Sequence, residues 1–420
     1  MDRGADLHDG GQGPMRTPVS IREVVENGLC IGCGLCQALA PDHYEMTMTE
    51  EGRLRPGPLA PEDPAVDAQI LPACPGAVVE AEARGAEHDP VWGSYTYMGE
   101  AWAGDPDTRF RAATGGALTA LGVHLLRSGK ARFILHCAAD PQHPMRSAWV
   151  MSETADDVMR RAGSRYGPTD TLAGLDAALS RGEPFGVIAK PCDANAIRAR
   201  GKADPRIDDL IVALLVMVCG GASDLGKSRA LLEEYGLDEG ELTVFRYRGY
   251  GNPGLTRVET KDGRAFEKTY LDLWEDESGW RIQSRCKICP DAIGEAADIA
   301  ACDIWPGGAP VGEDAGFNGV ITRSSAGQAL LDSAAAAGDL TLGRAHAPRE
   351  YDGFQPHQVD RKRAIAARLR GLAAAGQPVF RHAGLRIDAL DAADPAQEAG
   401  THERAAGNKF SEPMPSPGKE

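Results

Sequence analysis

The sequence has no apolar run long enough to cross a bilayer. The longest, "LIVALLVMVC" at 210–219, is about half of what a span needs and fits a buried strand instead. The first twenty residues, "MDRGADLHDGGQGPMRTPVS", lack the apolar stretch of a targeting signal and read as a flexible tail. Basic charge is also in deficit. Against 61 acidic residues stand 45 basic ones, and the net charge of −16 argues against nucleic acid or anionic membrane as partners, since both are polyanions. No internal repeat is present. Without a secretory signal the ten cysteines are not expected to form a disulfide framework. A cytoplasmic, reducing setting is expected, where closely spaced cysteines favour metal or redox chemistry.

The composition, 42% hydrophobic and 25% charged, is that of a globular protein, and the length allows two or more domains. Residues 21–88 form a cysteine-punctuated unit with little helical periodicity. From 90 to 345 strands and helices alternate. "TGGALTALGVHLLRSG" predicts a helix with Thr114 as cap, Leu118, Leu121 and Leu125 on one face and Gly129 as stop. The strands "ARFILH", "FGVIAK" and "LIVALLVMV" follow with helices between them, and Ser223 is read as the cap of the next helix. The alternation predicts a doubly wound, mainly parallel α/β sheet. "TVFRY" and "LTRVETKDGRAFEKTY", with a turn at Lys261-Asp262-Gly263, predict an inserted β-hairpin. "ADIAACDIW" and "NGVITR" resume the α/β pattern. A helical segment is expected at 346–390, closed by the basic "DRKRAIAARLRGLAAAG". Residues 391–420, rich in Ala, Pro, Glu and Gly, are expected to be disordered.

Cys30, Cys33 and Cys36 have C-x2-C-x2-C spacing, and Cys74-Pro75 follows downstream. Two-residue spacers let one tight loop bring three thiolates together with its amides facing the sulfurs, as a cubane cluster requires. In the bacterial two-cluster run a fourth cysteine continues the pattern for a neighbouring cluster; here that position is Ala40, followed by Pro41. The pattern reads as a single 4Fe-4S site closed by Cys74. "CIGCGLCQALAPDHYEM" and "PACPGAVVE" resemble single-cluster ferredoxins over about sixty residues. A structural zinc site is the alternative, although zinc more often uses two C-x2-C knuckles.

Cys192 ends the strand "FGVIAK" through Lys190-Pro191, and Cys219 ends "LIVALLVMV" before Gly220-Gly221. Both belong at the carboxyl edge of the sheet, where doubly wound folds carry their ligand crevice. Cys286 and Cys289 come on a loop able to fold over that edge, and the four could bind a second 4Fe-4S cluster. Taken singly, Cys192 or Cys219 is more often an inert buried thiol, and a lone C-x2-C could be a zinc or redox pair. Cys137 also ends a strand, so geometry alone does not set it aside. Cys302 lies within a strand pattern.

Thr114-Gly115-Gly116 at a helix start offers bare amides and a helix dipole to a phosphate, or is simple helix-entry geometry. Within "GSRYGP", Arg165 could clamp a phosphate or hold a carboxylate. The ordered set "ATGGALTALGVHLL", "GSRYGP", "KPCDANAIRA", "VMVCGG", "RCKICPD" and "ADIAACD" resembles the coenzyme F420 (deazaflavin) hydrogenase and dehydrogenase beta-subunit family. That family includes the ferredoxin-dependent 7-hydroxymethyl chlorophyll reductase and one type of divinyl chlorophyllide 8-vinyl reductase. The resemblance implies FAD beside an iron–sulfur cluster, with Thr114, Gly115, Gly116, Ser164, Arg165 and Tyr166 at the flavin. It also implies Cys192, Cys219, Cys286 and Cys289 as inner-cluster ligands. Cys302 departs from the family's usual Gly before Asp at that strand end.

The expected activity is that of an oxidoreductase. Electrons from ferredoxin or a related partner or subunit would pass through two clusters to FAD and on to a small-molecule substrate such as a deazaflavin or tetrapyrrole. Lys190 and Asp291 are candidate catalytic residues; Tyr247 and Arg248 are candidate substrate contacts. "FRYRGYGNPG" at 245–254 is read as a loop able to cover a planar substrate, or as a plain hairpin end. Arg198, Arg200, Lys202 and Arg206, or the helix at 361–370, could form a basic docking patch. The alternatives are a non-catalytic electron-transfer subunit of a hydrogenase or formate dehydrogenase complex, and a zinc-stabilised α/β binding protein. Homo-oligomerisation is left open.

Overall fold

The computed structural model describes residues 15–274, 280–391 and 393–415. The tail expected at 1–20 thus lies outside the described residues up to residue 14, as do 392 and 416–420 of the tail expected at 391–420.

The cysteine-punctuated unit carries a hairpin of β1 (Tyr44–Met48) and β2 (Leu54–Pro58) beside short helices Ile21–Glu26, Leu35–Leu39 and Pro64–Ile70. Next come β3 (Tyr97–Ala103), β4 (Phe133–Ala139), β5 (Ser147–Ser152), β6 (Phe185–Ala189) and β7 (Ile211–Met217). The chain continues through β8 (Leu242–Arg246), β9 (Thr256–Thr260), β10 (Ala265–Lys268), β11 (Ile299–Asp303), β12 (Asn318–Thr322) and β13 (Leu340–Ala345). One eight-stranded sheet has the order β13-β3-β12-β11-β7-β6-β4-β5. Its centre, β11, β7, β6 and β4, is mutually parallel. Helices Leu175–Ser180, Pro191–Gly201 and Gly226–Tyr235 lie on the connections between these strands.

The margins of the sheet differ from the expected parallel pattern. β12 runs antiparallel to both β11 and β3, β13 antiparallel to β3, and β5 antiparallel to β4. Between β11 and β12 the chain forms only the short turn Pro306–Gly308 and no crossover helix, so it must come back antiparallel. The inserted hairpin is a three-stranded antiparallel sheet, β8-β9-β10.

The apolar run at 210–219 is explained by burial on both faces of β7. Leu215 packs with Leu121, Leu125 and Leu331 on one side. Leu214 and Val216 pack with Trp92, Leu172 and Ile197 on the other. Two expected caps do other work. Helix Ala117–Arg127 starts from Gly116, and helix Gly226–Tyr235 from Leu225. The Ser223 hydroxyl donates instead to the Tyr166 carbonyl at 2.8 Å.

The segment expected to be disordered carries helix Pro395–Ala406, capped by Asp394 and packed on helix Pro356–Ala374. Arg370 reaches Glu398 at 2.8 Å, and Ala405 and Phe410 join a core with Val24, Leu29, Leu369 and Phe380. Composition misses this because the anchor is tertiary. Arg381–Ala383 also pairs in parallel with Val78–Glu80, tying the C-terminal region to the cysteine unit.

Two predictions follow from the sheet. Leu215→Ala, at a side chain with 0% exposure, is expected to cost about 2–5 kcal/mol, read as a lower urea midpoint. His136 on β4 is buried beside Ser152, 2.7 Å away, and burial with nearby Arg161 lowers its pKa to about 4. The unfolded chain takes up this proton near pH 6.5, the folded chain only near 4. This contribution to stability is therefore complete above 6.5 and shrinks as the pH falls to about 4. Urea titrations across that window should show the decline, and His136→Gln should flatten it.

Candidate functional site

Because β4, β6, β7 and β11 point the same way, their carboxyl ends share one edge. Lys190, Pro191 and Cys192 leave β6 there, Cys219 follows β7, and Asp303 ends β11. The short helix Ser284–Lys287, which carries Cys286, and Cys289 just after it meet them. The four cysteines line one cavity together with Lys190, Asp291, Arg285 and Arg361. Backbone amides face this ring: Ala222 N–H donates to Cys286 Sγ at 3.3 Å, and the Gly221 amide approaches Cys219. Burial pushes the Cys286 thiol up to about 12, and burial with the Asp193 charge raises the Cys192 thiol well above its ordinary value.

Cys30, Cys33, Cys36 and Cys74 line a second cavity with Ile21, Val24 and Met46. The cysteine loop turns through Gly32 and Gly34, both at positive φ. A Cβ on Gly32 would lie 2.4 Å from the Leu54 carbonyl, and one on Gly34 2.6 Å from the Ala173 amide. Only glycine allows this close docking. Gly32 N–H donates to Cys30 Sγ at 3.3 Å, and the amides of Leu35, Gln37 and Gly76 serve Cys33, Cys36 and Cys74. Burial raises all four thiols, Cys74 to about 12.

Ile31 lines both cavities, so the two quartets share a wall. Arg285 bridges them, donating twice to the Pro75 carbonyl at 3.0 and 2.9 Å. Among the described residues no group of three or more His, Cys, Asp or Glu side chains is arranged around a single metal ion. The cysteines instead ring two spaces with inward-facing amides, the first otherwise lined mainly by apolar side chains and the second also by Lys190, Arg285, Asp291 and Arg361. Those donors suit a polynuclear iron–sulfur group, which needs its thiolates spread apart and its sulfurs hydrogen-bonded. Cys137 lies within β4, opposite Trp149 on β5, and Cys302 is buried in β11. Neither lines a quartet cavity.

The candidate catalytic residues border the second quartet. Lys190 is buried and ion-paired with Asp193 at 2.9 Å, and its Nζ also donates to the Thr169 carbonyl at 2.9 Å. Burial opposes its charge, but Asp193 together with Cys192 and Cys137 outweighs this and raises the pKa. Asp291 accepts from Asn195 at 2.7 Å and from the Glu295 amide at 2.8 Å; burial, then Glu295, raises its pKa.

A separate polar cluster forms where β11 ends. Thr114, at φ 63°, donates its hydroxyl to Asp303 and accepts from Arg248 at 3.1 Å. Arg248, 2% exposed, also meets Asp303 at 3.1 Å and the Tyr166 hydroxyl at 3.3 Å. It lies over the rings of Trp305 and Tyr270 at 5.0 and 5.1 Å. Burial disfavours its charge, but Asp303 together with Tyr166 and Tyr270 more than compensates and the pKa is raised. Thr114 and Tyr166 thus come together, with Gly115 wedged so tightly that a Cβ would meet Gly316 at 2.8 Å.

Arg165, expected at the flavin, is engaged by the protein itself. Arg165 binds the Phe245, Pro144 and Arg146 carbonyls at 2.8, 2.8 and 2.6 Å and Ser147 at 3.2 Å, so the fold holds it rather than a phosphate. The Ala117 amide after Gly116 is capped by Asn318 at 3.0 Å. Ser164 is half-buried in the loop before Arg165. Tyr247 is buried against Ser228 at 2.7 Å. Asp303 is the residue that sequence reasoning passed over; an Asp closing a strand at the carboxyl edge was the available signal.

The expected basic patch is paired internally. Arg198 holds Asp298, Arg200 holds Asp204, Lys202 holds Glu80, and Arg206 holds Asp204 and Asp176. In helix Pro356–Ala374, Lys362 pairs with Glu295 and Arg370 with Asp391 and Glu398. An excess of carboxylates neutralises these cations locally.

A mixed α/β chain with cysteine quartets and a buried polar cluster at one sheet edge defines the class. Two family models match it, both described as "Coenzyme F420 hydrogenase/dehydrogenase, beta subunit": the N-terminal model over 98–176 and the C-terminal model over 182–347. Together they take in more than half of the sequence, and the chain belongs to this family. The coenzyme F420-dependent sulfite reductase of Methanocaldococcus jannaschii is 23% identical over 74% of this chain and 47% of its own length. The chain thus spans about half of that relative. The F420H2 dehydrogenase of Methanosarcina mazei has a subunit, designated F, that is 21% identical over 75% of this chain and 85% of its own length. The coenzyme F420 hydrogenase beta subunit of Methanothermobacter thermautotrophicus is 24% identical, over 59% and 84%. A chain of the F420-reducing NiFe hydrogenase complex from Methanosarcina barkeri shares the fold. Its TM-score is 0.52 at 20% identity, covering 70% of this chain and 98% of that one.

Asp303→Asn leaves Arg248 without its counter-charge. Asp303 is about a quarter exposed, so the expected loss is about 2–3 kcal/mol, below the roughly 3–5 of a fully buried pair. Urea unfolding of the purified variant measures it.

Proposed function

We propose that the chain is an electron-transferring oxidoreductase in which Cys30, Cys33, Cys36 and Cys74 hold one 4Fe-4S cluster and Cys192, Cys219, Cys286 and Cys289 another, beside FAD. The observation that carries this reading is the pair of cysteine-lined cavities with Ile31 as common wall. When bound, the clusters supply one-electron transfer and the flavin supplies hydride chemistry to a substrate such as a deazaflavin or tetrapyrrole.

The chain's own residues have distinct parts. The eight thiolates and the amides facing them provide ligands and hydrogen bonds for anionic centres. The apolar lining of the first cavity excludes water. Arg248 and Asp303 hold Thr114 and Tyr166 in place, and with Gly115 and Gly116 they are the residues we assign to the flavin side. Lys190 remains charged beside the second quartet, and Asp291 is the buried carboxyl able to hold a proton there.

A second reading has specific support. Two of the relatives are named as subunits, and a third is about twice the length of the region matched. In that reading the chain passes electrons to a partner subunit and transforms no substrate itself.

Anaerobic purification with iron, sulfide and flavin analysis tests the proposal. About eight iron and eight sulfide per chain with one flavin are expected, on the order set by two cubane clusters. Cys33→Ser and Cys286→Ser should each remove about half of the iron. Zinc without iron or flavin would overturn the reading. Iron and flavin with turnover only in the presence of a partner subunit would favour the second.

A further inference from the structure

Two buried arginines lie between the quartets. Arg285 is accounted for as a bridge to Pro75; Arg55 is not. Arg55 sits on β2 and is 1% exposed. Its neighbours touch the first quartet: the Leu54 carbonyl packs on Gly32, and Pro56 lines the cavity. Its guanidinium reaches toward the other quartet. Nη1 donates at 2.9 Å to Gln283 Oε1, and the Gln283 carbonyl accepts the Cys286 amide at 2.9 Å. Nε donates at 2.7 Å to Glu412, which lies beyond helix Pro395–Ala406 and also holds Arg53.

Two donors of this group are unused. Arg55 Nη2 and Gln283 Nε2 are buried with no hydrogen-bond partner among the described residues. Buried N–H groups are seldom left so, and sulfur-rich anionic centres accept such bonds.

We infer that Arg55, with Glu412 as its counter-ion, is a positioning residue whose charge sets how readily the centres of both quartets accept an electron. The inference rests on the two-cluster reading above. A fixed cation in a poorly screened interior favours the more negative, reduced form of a nearby centre, and a paired carboxylate offsets much of that field. Arg55 therefore raises the potentials and Glu412 moderates the rise. A purely structural latch, holding the C-terminal segment against β2, makes no such signed prediction.

Potentiometric titration of the anaerobic full-length chain with dithionite, followed by electron paramagnetic resonance, separates the two. Arg55→Gln should make the first centre harder to reduce, and Glu412→Gln easier. Each change should be roughly tenfold in the one-electron equilibrium constant, about 59 mV. The second centre should move the same way. Potentials that stay put or shift together in one direction, with only a lower melting temperature, would overturn the inference and leave a latch. A wild-type chain without two iron–sulfur signals would overturn the two-cluster reading as well. If Arg55→Gln does not fold, Glu412→Gln, at a partly exposed position, decides alone by raising the potential or leaving it unchanged.

Discussion

The common direction of β4, β6, β7 and β11 is the constraint on which the rest depends. Parallel strands deliver their carboxyl ends to a single edge, and helix N-termini begin there too. That is why Cys192 and Cys219, twenty-seven positions apart in sequence, can face the same space, and why Asp303 opens beside them. Were β6 or β7 reversed, the cysteine that follows it would lie at the opposite edge and the second quartet would be incomplete.

The cysteine unit is held to this edge from several directions. The Cys33 carbonyl accepts the Leu172 amide at 2.9 Å, Arg285 grips Pro75, and Arg55 reaches Gln283. The C-terminal region closes the arrangement through the Arg381–Ala383 strand, Phe410 and Glu412. Several of these ties are buried guanidinium groups on carbonyls or carboxylates, whose planar forks match such acceptors. The same habit accounts for an acidic chain without a free basic patch at Arg198–Arg206, where the cations are engaged by neighbouring carboxylates.

Much of the site was legible in local pattern. The spacing of Cys30, Cys33 and Cys36, with Cys74-Pro75 downstream, marked without knowledge of the fold the four cysteines that line the first cavity. Cys192 and Cys219 could be placed because each follows an apolar strand. The cap readings failed for a physical reason: Thr114 and Ser223 have hydroxyls suited to capping, but tertiary acceptors, Asp303 and the Tyr166 carbonyl, compete for them. Arg165 looked available for phosphate because sequence does not reveal five backbone and hydroxyl acceptors gathered from 144–147 and 245.

The amino-acid sequence alone determined the strand–helix alternation and the two cysteine groups, because these follow from periodicity and spacing over short distances, and its ordered set of motifs carried the resemblance to the family. Only the tertiary structure decided that β12 turns back antiparallel, that Ile31 separates the quartets, and that Arg248 with Asp303 organises the Thr114 turn. It also decided that residues 393–415 pack against the cysteine unit. Each of these depends on contacts between segments far apart in the chain, and burial, which selects among such contacts, is a property of the folded whole.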